Sequence, residues 1–359
     1  MRDANSINIH ELIEIGYNER ASDVFIKAGQ QPMMRQHSQV KPLPGDFPVL
    51  TAADAQRIIE ALMNEKQRRK FEEHMEMDLA FAVGDFTRVR ANIHMQRGSW
   101  AIVCRIIPLK ILTIEQLGLP PVLREFTKYR QGLILVTGPT GSGKTTSLAA
   151  MIDLINDTRP CHIVTIEDPL EFVHRDKSAY VTQREIGIDT EDFQPALRAV
   201  VREAPDVILI GEMRDVLTMN VALQAGETGH LVFSTVHTSS AYETMDRVIN
   251  MFPPHEKNHL CQRMANSLRA IVAQKLVPRA DGNGRVAATE ILVVNPTVAK
   301  LIEDGHFHDL YHAMNEGEFW GMQTMNQSLL RYVKAGVISE ETAMQYAGIT
   351  SELKQLLRR

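Results

Sequence analysis

The chain has 359 residues, 44% hydrophobic and 23% charged, with a formal net charge of −5. Such a length and composition suit a globular protein of about two domains with a full core. The acidic balance argues against a broad nucleic-acid footprint, and no apolar run approaches the ~20 residues of a helical membrane span. Three cysteines, Cys104, Cys161 and Cys261, lie far apart with no C-x-x-C. They read as buried thiols in a reducing cytoplasm, not as a disulfide framework or a zinc site. The first ten residues lack the basic start and apolar block of a signal peptide. Any membrane association is therefore expected to come through a partner.

Residues 1–110 read as one unit. Ile9–Ile15 suggests an amphipathic helix, and Asp23–Lys27 and Phe86–Ile93 alternate like strands. Trp100–Ile107 is a further strand candidate. Between them, Ala52–Phe71 carries a helix pattern whose end, Glu65–Glu73, is a run of mixed charge that suits a solvated face. Lys41–Pro48 reads as a loop, since four of its residues are Pro or Gly.

Residues 111–121 look like a linker to a second unit. Short apolar runs then alternate with helical stretches: Leu133–Val136, His162–Ile166, Val207–Ile210 and Leu231–Thr235. Alternating β and α implies a parallel sheet wrapped by helices, with ligands at the carboxyl ends of the strands. This core is expected over residues 122–297. The tail, 298–359, reads as mostly helical with turns at Gly305, Gly317 and Gly336.

Gly138-Pro139-Thr140-Gly141-Ser142-Gly143-Lys144-Thr145 matches G-x-x-x-x-G-K-[ST] at every fixed position. A β-forming run precedes it and a helical run from Thr146 follows. In that setting the glycines let backbone N–H groups point at phosphate oxygens, and the helix start adds its positive dipole end. Lys144 supplies a point charge, and the Thr145 hydroxyl can ligate Mg²⁺.

Three further blocks end apolar runs in polar residues. Ile163–Ile166 runs into Glu167-Asp168-Pro169, which suits Mg²⁺ or an attacking water but equally suits an ordinary turn. Val207–Ile210 ends at Gly211-Glu212, so Glu212 is the candidate acid of that strand, with a loop-edge ion pair to Arg214 as the alternative. His230 opens and His237 closes the run Leu231–Val236; their spacing does not match common zinc motifs. His237 could sense a γ-phosphate, and His230 could be a turn residue donating to a backbone carbonyl. His306, His308 and His312 form one further cluster, for which an exposed helix start is simpler than a metal site.

Phosphate loop, Glu167 block, Glu212 block and His237 block, in that order, resemble the secretion-type ATPase superfamily. The resemblance is closest to the type IV pilus retraction ATPases, the PilT/PilU family. It is carried by Gln183–Gly187, Ala196–Arg198, Ala204–Asp215, Gly229–Thr238 and Asp246–Pro253, and it covers nearly the whole chain. Pro296–Asp304, and Ile188 within Arg184–Thr190, are similar to the accessory branch of that family.

The resemblance implies an ATP-hydrolysing, homohexameric motor in the cytoplasm, peripheral to the inner membrane, that powers pilus retraction. Its implied partners are a paralogous retraction ATPase and an inner-membrane pilus platform protein, with no nucleic acid and no direct membrane insertion. It implies an α/β fold: an N-terminal PAS-like α+β domain and a RecA-like P-loop domain with a helical tail. ATP and Mg²⁺ are the implied cofactors, held by Gly138 to Thr146. Glu167 is then the first choice for activating water and Glu212 for holding Mg²⁺ with Thr145, although the two roles could be exchanged. Arg88, Arg90 and Arg105 match the segments whose arginines reach the phosphates, and alternation puts Arg88 and Arg90 on one strand face. Two other readings compete: an ATP-binding ring with little hydrolysis of its own, and a RecA-like nucleic-acid motor. The second lacks an aromatic and basic single-strand platform. Export and pilus-extension relatives usually carry a four-cysteine zinc site, which this chain has no cysteines to build.

Overall fold

A computed structural model describes residues 3–36, 39–84, 86–108 and 110–358. The chain divides into two compact units, residues 1–110 with 171–173, and residues 111–170 with 174–359.

The first unit contains α1 (Ile9–Asn18), β1 (Asp23–Lys27), β2 (Met33–Gln36) and β3 (Gln39–Pro42). It continues with α2 (Ala52–Glu60), α3 (Glu65–His74), β4 (Glu76–Val83), β5 (Thr87–Gln96) and β6 (Ser99–Pro108). The strands form one sheet in the order β3-β2-β1-β6-β5-β4, and every pairing is antiparallel. Alternation sorts its faces. Val24 and Ile26 of β1, Val89, Ala91 and Ile93 of β5, and Ile102 and Cys104 of β6 are buried, and share a core with Leu12, Ile13, Ile58 and Ile59 of the helices.

This unit departs from the sequence pattern in two places. The helix pattern over Ala52–Phe71 is two helices. Asn64 opens a second start inside the pattern: its side chain accepts from Gln67 N–H, and Gln67 returns the bond to Asn64 N–H. This capping box nucleates α3 separately from α2, which has its own box at Thr51 and Asp54. The loop expected over Lys41–Pro48 yields Lys41 and Pro42 to β3, whose backbone completes a ladder with β2. Pro42 is tolerated there because β3 is an edge strand.

The second unit begins with α4 (Val122–Phe126), β7 (Gly132–Thr137), α5 (Lys144–Thr158), β8 (His162–Glu167), β9 (Tyr180–Glu185) and α6 (Phe193–Val200). Then come β10 (Val207–Ile210), α7 (Val216–Glu227), β11 (Leu231–Val236), α8 (Ala241–Asn250), α9 (Lys257–Ser267), β12 (Leu268–Pro278) and β13 (Arg285–Val293). The helices α10 (Pro296–Glu303), α11 (Leu310–Glu316), α12 (Met325–Lys334), α13 (Glu340–Tyr346) and α14 (Thr350–Leu357) close the chain.

The second sheet runs β13-β12-β7-β11-β10-β8-β9. Only the β12–β13 pairing is antiparallel. Strands β7, β10 and β11 are buried at every residue, as befits parallel strands covered on both faces. Helix α5 buries Leu148, Met151, Ile152 and Ile155, one face at helical spacing. Ile114 and Leu119, from the stretch read as a linker, lie in this same core, as do Val298, Ile302, Leu310 and Met314 of the tail. Helices α12 to α14 instead pack with Val277 and Ala288 of the β12–β13 pair in a smaller cluster.

Parallel strands point their carboxyl ends the same way. The neighbours β7, β11, β10 and β8 therefore deliver the loop at Gly138, His237, Glu212 and Glu167 to one edge of the sheet.

Candidate nucleotide site

The loop after β7 turns through three glycines with positive φ: Gly138 at 145°, Gly141 at 78° and Gly143 at 88°. These values favour glycine on steric grounds. Gly143 then leads directly into α5, whose first residue is Lys144. Pro139, Thr140 and Gly141 form the exposed crown of the loop; Gly138, Ser142 and Lys144 are buried, and Thr145 and Thr146 half-buried. Lys144 Nζ donates to the carbonyls of Gly138 (2.7 Å) and Pro139 (3.1 Å), so the ammonium lies within the curl of the loop. Ser142 Oγ is buried with no hydrogen-bond partner among the described residues.

Glu167 is the last residue of β8 and is 6% exposed. Its Oε1 accepts from Thr165 Oγ1 (2.7 Å) and from Gln183 Nε2 of β9 (3.4 Å). On the adjacent strand, Gly211 N–H donates to Ile166 O at 2.8 Å. A Cβ on Gly211 would stand 3.3 Å from Glu167 Cα and 3.3 Å from Ile166 O. Glycine there lets the ends of β8 and β10 approach, so that Glu167 and Glu212 leave neighbouring strands. Ser234 and Thr235 of β11 fasten the same turn, donating to Ile210 O and Gly211 O (both 2.7 Å).

Glu212 is gripped from two sides. Arg214 Nη2 lies 2.7 Å from its Oε2, and His237 Nε2 lies 3.2 Å from its Oε1. Burial alone would raise this carboxyl, but the hydrogen bonds from Arg214 and His237 and the charge of Arg214 outweigh it and hold the pKa below the ordinary carboxylate value. His237 reaches the other way too: its Nδ1 lies 3.4 Å from Lys144 Nζ. An ammonium only donates, so Nδ1 accepts and Nε2 carries the proton that faces Glu212. Lys144, His237, Glu212 and Arg214 thus form one continuous chain across the ends of β7, β11 and β10.

Arg88, Arg90 and Arg105 belong to the first unit. Arg88 and Arg90 share the face of β5 opposite the core, and Arg90 registers with Arg105 of β6. Arg105 registers in turn with Asp23 of β1 and forms an ion pair with it, Nε to Oδ1 3.1 Å. Arg90, Arg105, Asp23, Asp78, Asn92 and Val103 line a cavity of about 180 Å³.

His230 accounts for itself locally: its Nδ1 lies 3.0 Å from Ala225 O, as a turn residue's would. His308 stacks on Tyr242, centroids 4.6 Å apart. Among the described residues no cluster of three or more His, Cys, Asp or Glu could hold a metal. Cys104 and Cys261 are buried, whereas Cys161 is only half-buried, near the start of β8, and so departs from the expectation.

Sequence reasoning missed Gln183 and Gln274. Gln183 spans from His174 N–H, which donates to its Oε1 at 2.7 Å, to Glu167. Gln274 is a lone amide in the apolar run of β12 and 2% exposed. That placement was itself a signal, because a buried amide is costly unless its bonds are made.

A glycine-rich phosphate loop on a parallel sheet, with acids at the neighbouring strand ends, defines a P-loop nucleotide-binding protein. The sequence pattern of the family described as type II/IV secretion system protein matches residues 6–345, and the chain belongs to that family. It is 44% identical to the type IV pilus retraction ATPase PilT of Pseudomonas aeruginosa, over 96% of this chain and 99% of that protein. It is 37% identical to the type IV pilus ATPase PilU of the same organism, over 98% of this chain and 92% of that protein. Among solved structures, the pilus retraction motor PilT with bound ADP superposes with a TM-score of 0.91 at 41% identity, covering 98% of this chain and all of that one. Among the described residues no helix is long and apolar enough to cross a membrane.

Proposed function

We propose that this chain is the ATP-hydrolysing subunit of a hexameric motor that powers type IV pilus retraction. The observation that carries the chemistry is the chain Lys144–His237–Glu212–Arg214 on the same sheet edge as Glu167. Its first unit is PAS-like and its second RecA-like in this reading. The loop from Gly138 to Thr146 holds the phosphates of ATP, with Lys144 as the charge on the β- and γ-phosphates.

The oxygen donors present suit Mg²⁺: the half-buried Thr145 hydroxyl and the Glu212 carboxylate are hard ligands, and Ser142 Oγ is a buried hydroxyl with bonding capacity to spare. When bound, Mg²⁺ supplies charge neutralisation between the phosphates. Glu167 orients and activates water. Glu212 is assigned to the metal because a guanidinium and an imidazole hold it. A carboxylate held by a guanidinium is the weaker base. His237 links the phosphate lysine to Glu212 and so reports γ-phosphate occupancy. Arg88, Arg90 and Arg105 stabilise the γ-phosphate in the working assembly. The motor acts in the cytoplasm at the inner membrane, on a pilus platform protein and beside a paralogous ATPase.

The accessory reading, an ATP-binding ring that serves another motor, is motivated by Ile188 and the segment Pro296–Asp304. The higher identity to PilT than to PilU supports the autonomous motor. Complementation decides between them. In cells lacking both retraction ATPases, the wild-type chain alone restores twitching and Lys144→Ala does not. Restoration that needs an added partner ATPase would establish the accessory role instead.

A further inference from the structure

Strand β12 pairs with β7 in parallel as far as Ala273 opposite Thr137, where β7 ends. Gln274 is the next residue, so it lies beside the phosphate loop as the loop leaves the sheet. Three observations converge on it. Its Nε2 donates to Ser142 O (2.8 Å), inside the loop. Its Oε1 accepts from Ser147 Oγ (2.8 Å), in the first turns of α5. The loop glycines also rest against it: a Cβ on Gly138 would stand 2.3 Å from Gln274 O, and one on Gly143 would stand 2.7 Å from Gln274 Nε2.

We propose that Gln274 is the positioning residue of the phosphate loop, tying Ser142 and Ser147 into one rigid cradle for the nucleotide phosphates. This deepens the nucleotide reading above and rests on it. The geometry explains the choice of residue. One primary amide offers a donor and an acceptor on the same planar group. It therefore satisfies a backbone carbonyl of the loop and a helix hydroxyl at once. Its bonds are buried, so losing one leaves an unsatisfied polar group rather than a water-bonded one. Gln274 itself is held in the sheet, where it registers with Thr289 of β13. Thr289 is fixed by Gln323, whose Nε2 donates to both Thr289 O (2.8 Å) and Oγ1 (2.7 Å). The loop is thus braced on the β12–β13 pair, an element with no motif of its own.

Three variants of the full chain test this: Gln274→Glu, Gln274→Leu and Ser147→Ala. Gln274→Glu keeps the acceptor for Ser147 and replaces the donor to Ser142 O with a carboxylate oxygen that repels it. Ser147→Ala keeps the bond to Ser142. Affinity is read by titration with fluorescent ADP, steady-state ATP turnover by kcat and KM, and folding by thermal melting. The expected order is a loss of affinity of about tenfold to a hundredfold in Gln274→Glu, and severalfold in Ser147→Ala. KM should rise in parallel, with both variants folded at 25 °C. If Gln274→Leu folds, it should match Gln274→Glu; if it does not, the other two carry the comparison. Folded Gln274→Glu with wild-type ADP affinity and KM would overturn the proposal while leaving the nucleotide reading intact, provided Lys144→Ala abolishes binding. No ADP binding by the wild-type chain would instead sink the nucleotide reading itself.

Discussion

The two units use polar side chains in opposite ways. In the first, an antiparallel sheet has one buried face and one polar face, and its charges answer one another across neighbouring strands, as Arg105 answers Asp23. In the second, the central strands are buried on both faces, and polar groups are confined to strand ends and a few fully bonded positions. A polar residue on a half-exposed strand says little, since solvent accepts it. A polar residue in or just beyond a doubly buried strand must be bonded or must serve a ligand. The site therefore stands out in the second unit and not in the first.

Four substitutions sharpen that contrast. Glu167→Gln should have the largest effect, lowering kcat by about 10²–10⁴-fold with ADP affinity retained, as removal of a general base does; single-turnover hydrolysis measures it. Gly211→Val comes next. Its added carbons would press on Glu167 and Ile166 O and part the two acids, so kcat should fall by about tenfold to a hundredfold. Unchanged turnover in that variant would mean that the spacing of Glu167 and Glu212 is not critical.

Asp23→Ala in the first unit should act on stability instead, by about 1 kcal/mol in a denaturant melt, because its partner Arg105 is largely exposed and screened. The smallest effect is expected from Arg214→Ala, and it carries a pH signature. Glu212 is held below its ordinary value of 4.5. The stabilisation from Arg214 is therefore present above that value and fades as pH falls through the lowered one. The difference in melting temperature between wild type and Arg214→Ala should be present at pH 7 and shrink toward zero in acid. A difference that grew in acid would contradict the pairing.

Much of the site was legible because it is local. The loop from Gly138 to Thr145 is contiguous, and Glu167, Glu212 and His237 each follow a short apolar run that reads as a buried strand. The parallel arrangement of those strands then forces the four positions to one edge. What was not legible depends on bonds between distant residues. Ser147 and Gln274 are 127 residues apart, and no local pattern pairs them. The break between α2 and α3 was hidden because residues 64–70 carry no apolar side chain whose spacing could show a new helix; only the capping box at Asn64 marks it. Strand β4 escaped notice beside the charged α3, and β9 because its residues are mostly half-buried rather than fully apolar.

Under the function proposed, the sheet edge carrying Lys144 hydrolyses ATP. Steady-state phosphate release by the full chain with Mg²⁺ and ATP, beside Lys144→Ala at the same ring-forming concentration, tests it most directly. The wild-type chain should turn over ATP and the variant should lose about 10²–10³-fold of that turnover, with its melting behaviour preserved. Equal turnover by the two proteins would contradict it.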